Sequence, residues 1–181
     1  YAVKVSQANF PDIVQVGNVC QLKSENFKDV DLILAGSPCQ GFSFAGKQLA
    51  FNDPRSALFF EFVRLLKEIK PKYFLLENVK MKQQFQDVIT EQVSACYPNL
   101  PGDLFGSQIK PISINSALVS AQNRQRLYWT NIPNIQQPLD KGIMLQDILE
   151  TEVDENLKLM TNKGKAHCLT ASYNGAVAWN S

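Results

Sequence analysis

The sequence predicts an α/β fold, a mostly parallel sheet wound by helices, from three observations. Residues 31–35 (DLILA) and 73–76 (YFLL) are short continuous apolar runs, the pattern of strands buried on both faces. Between them, Leu58, Phe59, Phe62, Leu65, Leu66 and Ile69 recur at helical spacing over residues 56–69. The alternation continues beyond, and alternating strands and helices build a sheet covered by its own crossover connections.

Each element has a local reason. Residues 1–10 read as the tail of a helix with Val3, Val5 and Phe10 as its apolar residues, and Pro11 ends it. Residues 13–16 are rich in β-branched side chains and read as a short strand. The run at 31–35 is bounded by Asp31 and Gly36, and Pro71 stops the helix over 56–69. Residues 84–93 form a weaker helix, with Phe85, Val88, Ile89 and Val93 on one face. Residues 112–114 and 127–130 supply two further strands. The rhythm then breaks at Pro133, Pro138 and Gly142. A short amphipathic stretch (Ile143, Leu145, Ile148, Leu149) and a locally acidic segment at 150–155 follow. From Thr161 the chain is polar and small, which places a boundary at 134–150 and a loop-rich unit after it.

Composition narrows the class. A chain of 181 residues suits one domain, or most of a larger one. With 45% hydrophobic and 19% charged residues, wholesale disorder and a fibrous protein are excluded. No apolar run approaches the ~20 residues that span a bilayer, so no membrane partner is expected. The net charge of +1 excludes a strongly basic coat but leaves room for a local basic groove. The cysteines Cys20, Cys39, Cys96 and Cys168 make no CxxC clip, and His167 stands alone, so no metal site is expected. Their spacing argues against a disulfide framework and fits a reducing cytosol.

Three short stretches carry chemistry. Gly36-Ser37-Pro38-Cys39-Gln40-Gly41-Phe42-Ser43 directly follows the strand at 31–35, where ligands collect in open α/β sheets. Cys39 is there either a nucleophile set in place by its Gly and Pro neighbours or a small apolar residue under a loop. Glu77-Asn78-Val79 ends the run at 73–76. A carboxylate after Phe-Leu-Leu is poorly solvated and suited to proton donation; the alternative is a helix cap, or a pair with Lys80 or Lys82. Arg124 and Arg126, in Gln-Asn-Arg-Gln-Arg, share one side of an extended backbone. They are either a convergent pair for a phosphate, carboxylate or base carbonyl, or two solvated surface residues. Together a nucleophile, an acid and an arginine pair suit addition to an electron-poor ring.

In this order the motifs resemble those of the cytosine-C5 DNA methyltransferases: Ser-Pro-Cys-Gln-Gly-Phe-Ser, Glu-Asn-Val and Gln-x-Arg-x-Arg. Asp53-Pro54-Arg55-Ser56-x-Leu58-Phe59 is similar to that family's arginine-serine-leucine helix. Leu58 to Phe62, and Val119 through Tyr128-Trp129 to Pro133, most resemble the animal de novo branch. The Gln-Gly-Phe-Ser continuation resembles that branch's phage and bacterial relatives. The resemblance implies an S-adenosylmethionine-dependent, Rossmann-like sheet, with double-stranded DNA as partner and S-adenosylmethionine as cofactor. It implies a flipped cytosine attacked at carbon 6 by Cys39, with Glu77 on the exocyclic amine and ring nitrogen 3. Arg126 would hold the carbonyl oxygen at position 2, and Arg124 would support the nucleophile loop. Residues 41–52 would be the loop that closes over DNA, with Gln40 and Ser43 as contacts. For the cofactor, Asn18 stands where the family usually has Asp and can accept from the adenine amine through its side-chain oxygen. Val19 would pack on the adenine, and Pro38 and Leu58 would line the methionine end.

The resemblance covers about residues 1–150. The family's glycine-rich cofactor loop and closing motifs are expected outside residues 1–181, so the chain reads as the middle of a larger enzyme. Residues 1–140 would be the catalytic domain, and residues 141–181 a linker and the opening of the target recognition domain. A bacterial or phage-infected cytoplasm is the expected location; the sequence does not indicate an oligomeric state. Two alternatives are methylation of tRNA by the same chemistry, and a non-catalytic remnant that binds DNA or a partner methyltransferase.

Overall fold

The computed structural model describes residues 1–38, 57–98, 108–148 and 164–167. Its helices are α1 (Ala2–Asn9), α2 (Ala57–Ile69) and α3 (Gln83–Ser94). Its strands are β1 (Leu32–Gly36), β2 (Tyr73–Val79), β3 (Ile112–Asn115), β4 (Gln122–Asn123), β5 (Gln125–Thr130) and β6 (Ala166–His167). The main sheet runs β1-β2-β5-β3, and β4 pairs separately with β6. None of the described helices is long and apolar enough to cross a membrane.

The crossover through α2 makes β1 and β2 parallel, as a helical connection requires. The pairs β2–β5 and β5–β3 are antiparallel, so among the described strands the sheet is mixed rather than mostly parallel. The reason is chain length. Only residues 116–124 separate β3 from β5, too few for a crossover helix but enough for a reversal.

Residues 13–16 form no strand; they are exposed and irregular. Their β-branched side chains suit a pleated surface, but β structure needs a paired neighbour, and none of the described strands runs beside them. β1 is buried on one face only. Ile33 and Ala35 pack on the core, whereas Leu32 and Leu34 are exposed, because β1 lies at the edge of the described sheet and α2 and α3 share one face.

That covered face is the core. Phe59, Phe62 and Leu66 of α2, Ile89 and Val93 of α3, and Phe74, Leu76, Leu127 and Trp129 of the sheet form one cluster. The Trp129 indole donates to Thr90 Oγ1 at 3.0 Å, so the buried ring keeps a polar partner. Tyr97 stacks on Phe74 and donates to the Pro71 carbonyl at 3.0 Å; burial pushes its phenol up to about 12. α2 ends where Lys70 turns left-handed (φ 52°), with its N–H on Leu66, and Pro71 follows.

β2 runs three residues past the apolar stretch that predicted it. Gly36 of β1 still pairs with Glu77, and Tyr128, Leu127 and Arg126 of β5 pair with Glu77, Asn78 and Val79. Strand partners, rather than apolar content, carry the ladder on. Glu77 therefore sits within β2 and not at its end.

Candidate active site

Strand alternation decides which way the acid points. Phe74, Leu76 and Asn78 face the core, so Glu77 faces the opposite side of the sheet. There about a third of its side chain is exposed; the carboxylate is not sunk among the apolar residues that precede it. Arg126 pairs in register with Val79, one diagonal step from Glu77, and its Nε lies 2.9 Å from Glu77 Oε1. The ion partner of Glu77 is thus Arg126, not Lys80 or Lys82. On the other side, Gly36 leaves room: a Cβ there would lie 3.6 Å from Glu77 Oε2.

Arg124 sits between β4 and β5, half-buried like Arg126. Its N–H donates to Asn115 Oδ1 at 3.0 Å, and its carbonyl accepts from Ser116 N–H. Asn115 also accepts from Ala117 N–H and donates to Asn123, so one side chain shapes the loop that presents Arg124. Sequence reasoning missed Asn115, because a single Asn at a strand end carries no distinctive spacing. Cys39, Gln40 and Ser43 lie outside the described residues, as do all of residues 41–56.

Three of the four cofactor candidates meet. Val19, Pro38 and Leu58 line one cavity of about 500 Å³ between a single 3-10 turn (Val19–Gln21), the end of β1 and α2. Ile33, Ala35 and Phe62 also line it, so its walls are largely apolar. The size falls in the range of small-molecule sites. Asn18 precedes Val19 and is exposed; its Oδ1 accepts from Cys20 N–H at 3.0 Å and caps the turn. That oxygen keeps a second lone pair for a ligand donor. Among the described residues no group of three His, Cys, Asp or Glu side chains is placed to hold a metal.

A family model for C-5 cytosine-specific DNA methylases matches residues 1–166. The chain belongs to the C-5 cytosine-specific DNA methylase family. It is 32% identical to the type II methyltransferase M1.ScrFI of Lactococcus lactis subsp. cremoris, over 92% of this chain and 44% of that protein. It is 31% identical to the type II methyltransferase M.HhaI of Haemophilus parahaemolyticus, over 90% of this chain and 53% of that protein. Among solved structures it is similar to a prophage-encoded E. coli protein described as a DNA modification methyltransferase. That match has a TM-score of 0.53 and 26% identity, and covers 71% of this chain and 36% of the other. The chain therefore spans about half, or less, of the length of these relatives.

In this cytosine methylase chain Asn78 was also missed as a functional candidate. Its side chain is 1% exposed, and its Nδ2 donates to Ser37 Oγ at 3.0 Å. Its Oδ1 accepts from Val79 N–H at 2.8 Å. The pair ties β2 to the chain leaving β1, two residues ahead of Cys39. Breaking it leaves a buried amide without its partner. Asn78→Ala is expected to lower unfolding free energy by about 1–3 kcal/mol, and Ser37→Ala by about 1 kcal/mol. Urea denaturation of the full-length protein measures this; two variants indistinguishable from the parent would show the bond to be idle.

Proposed function

We propose that the full-length protein carrying this chain transfers the methyl group of S-adenosylmethionine to carbon 5 of cytosine in duplex DNA. The observation that supports this best is the Glu77–Arg126 pair at 2.9 Å, beside the end of the strand that leads to Cys39. A carboxyl group and a guanidinium side by side match the two edges of a cytosine: amine and ring nitrogen for the acid, carbonyl oxygen for the arginine.

In this reading the target base leaves the stack, because its ring faces are shielded within the duplex. The Cys39 thiolate adds to carbon 6, and Glu77 supports the electron density that moves onto ring nitrogen 3 and the exocyclic amine. Arg126 holds the carbonyl oxygen, and Arg124 steadies the loop that carries Cys39. When bound, S-adenosylmethionine supplies an electrophilic methyl group to carbon 5. Loss of the carbon-5 proton then restores the ring double bond and expels Cys39 as thiolate. Val19 packs on the adenine, Asn18 accepts from its amine, and Pro38 and Leu58 line the methionine end. Gln40 and Ser43 touch DNA. Residues 1–140 form the catalytic part, residues 141–181 lead into the target recognition part, and the enzyme works in a bacterial or phage-infected cytoplasm.

The test is transfer of tritiated methyl groups by the full-length protein to duplex DNA and, in parallel, to tRNA. Label in DNA alone is expected. Label in tRNA alone would overturn the substrate, and label in neither would overturn the enzymatic reading in favour of a binding protein.

A further inference from the structure

Arg64 lies on α2, outside every motif discussed above, yet all three of its guanidinium nitrogens are engaged. Nε donates to Glu61 Oε2 and Nη1 to Glu68 Oε2, each at 2.9 Å. Nη2 reaches off the helix to the carbonyl oxygens of Val19 at 3.3 Å and Leu22 at 3.2 Å. The two glutamates stand at i−3 and i+4 on the same helix face and fix the plane of the fork. Hydrogen bonding to Glu61, with the charges of Glu61 and Glu68, raises the guanidinium pKa above its ordinary value, so the donor stays charged at any working pH.

The turn it grips is one that does not hold itself. Val19–Gln21 is a single 3-10 turn, and isolated turns of that length are unstable in water. Asn18 closes its first end through Cys20 N–H. At the other end Leu22 N–H takes the Val19 carbonyl, and the Leu22 carbonyl finds its donor in Arg64. The same turn carries Val19, which lines the cavity together with Leu58 of α2. One helix thus carries both Leu58, which lines the cavity, and Arg64, which grips the turn that brings Val19 to it.

We propose that Arg64 is a positioning residue that ties the Val19–Leu22 turn to α2 and so sets the width of the cleft between Val19 and Leu58 for a nucleoside ligand. This rests on the reading of that cleft as the S-adenosylmethionine site. Lysine cannot replace it, because an ammonium on a flexible stem lacks the rigid fork that meets two carboxylates and two carbonyls at once.

The experiment uses the full-length protein, with Arg64→Lys, Arg64→Met and Val19→Asp. Binding of S-adenosylmethionine is titrated by calorimetry, and amide hydrogen exchange at Gln21 and Leu22 is followed without ligand. Both Arg64 variants are expected to bind about ten-fold more weakly, the effect of losing one charge-assisted contact. Exchange at Gln21 and Leu22 rises in the same variants, while kcat at saturating cofactor and the KM for DNA stay within about two-fold. Arg64→Lys matching the parent in both affinity and exchange would overturn the proposal. Val19→Asp separates the two layers. If it binds the cofactor normally, the cleft reading fails; if it fails to bind while both Arg64 variants bind normally, the Arg64 proposal alone fails. Should Arg64→Met not fold, Glu68→Gln frees one arm of the fork and is expected to weaken binding about three-fold; no change there and in Arg64→Lys overturns the proposal.

Discussion

Cys39→Ala in the full-length protein is expected to lower methyl transfer to DNA by roughly 10³–10⁶-fold, the scale seen when a covalent nucleophile is removed. The size follows from the chemistry. Carbon 5 of cytosine is a poor nucleophile until addition at carbon 6 breaks the aromatic ring, and alanine has no atom that can add. Binding of S-adenosylmethionine should stay within about two-fold, since the residues that line the cleft are untouched. A second readout isolates the covalent step. DNA carrying fluorine at carbon 5 offers no proton to lose there after methylation, so the parent protein should remain attached to it and the variant should not. Substantial turnover by Cys39→Ala, or equal attachment by both proteins, would remove Cys39 from the mechanism.

Glu77→Gln should cost about 10²–10⁴-fold in kcat, with little loss of stability. Glutamine keeps the shape of glutamate and can still face Arg126, but it can neither take up nor release the proton that ring nitrogen 3 exchanges. The small stability term follows from exposure: a third of the Glu77 side chain is solvated, and ion pairs of this kind contribute about 1 kcal/mol or less. Activity assays and urea unfolding on the same samples decide the matter. A variant that unfolds far more easily but turns over normally when folded would make Glu77 a structural partner of Arg126 and nothing more.

Much of the fold was legible because its signals are local. Helical spacing over α2 and α3 and apolar runs at β1 and β2 are written within a dozen residues each. Failures came where distant chain decides. Residues 13–16 have strand composition but no neighbour, and β2 continues past its apolar run because β1 and β5 supply partners. The site divides in the same way. Ser-Pro-Cys, Glu-Asn-Val and the Arg-x-Arg pair stand out as motifs, whereas the parts played by Asn78, Asn115 and Arg64 come from contacts with Ser37, Arg124 and Val19, which lie elsewhere along the chain and which no local spacing signals.

By itself the sequence determined the residue kinds at the site, their order along the chain and the family to which that order belongs. Side-chain chemistry and short periodicities survive in one dimension. The tertiary structure alone decided that the sheet is mixed, that Glu77 and Arg126 meet one diagonal step apart, and that Val19, Pro38 and Leu58 share one cleft. The physical reason is that register and strand order are set by the joint burial of Phe59, Phe74, Leu76 and Trp129. No single segment encodes that packing, and a slip of one residue along β5 would turn Arg126 to the other face of the sheet.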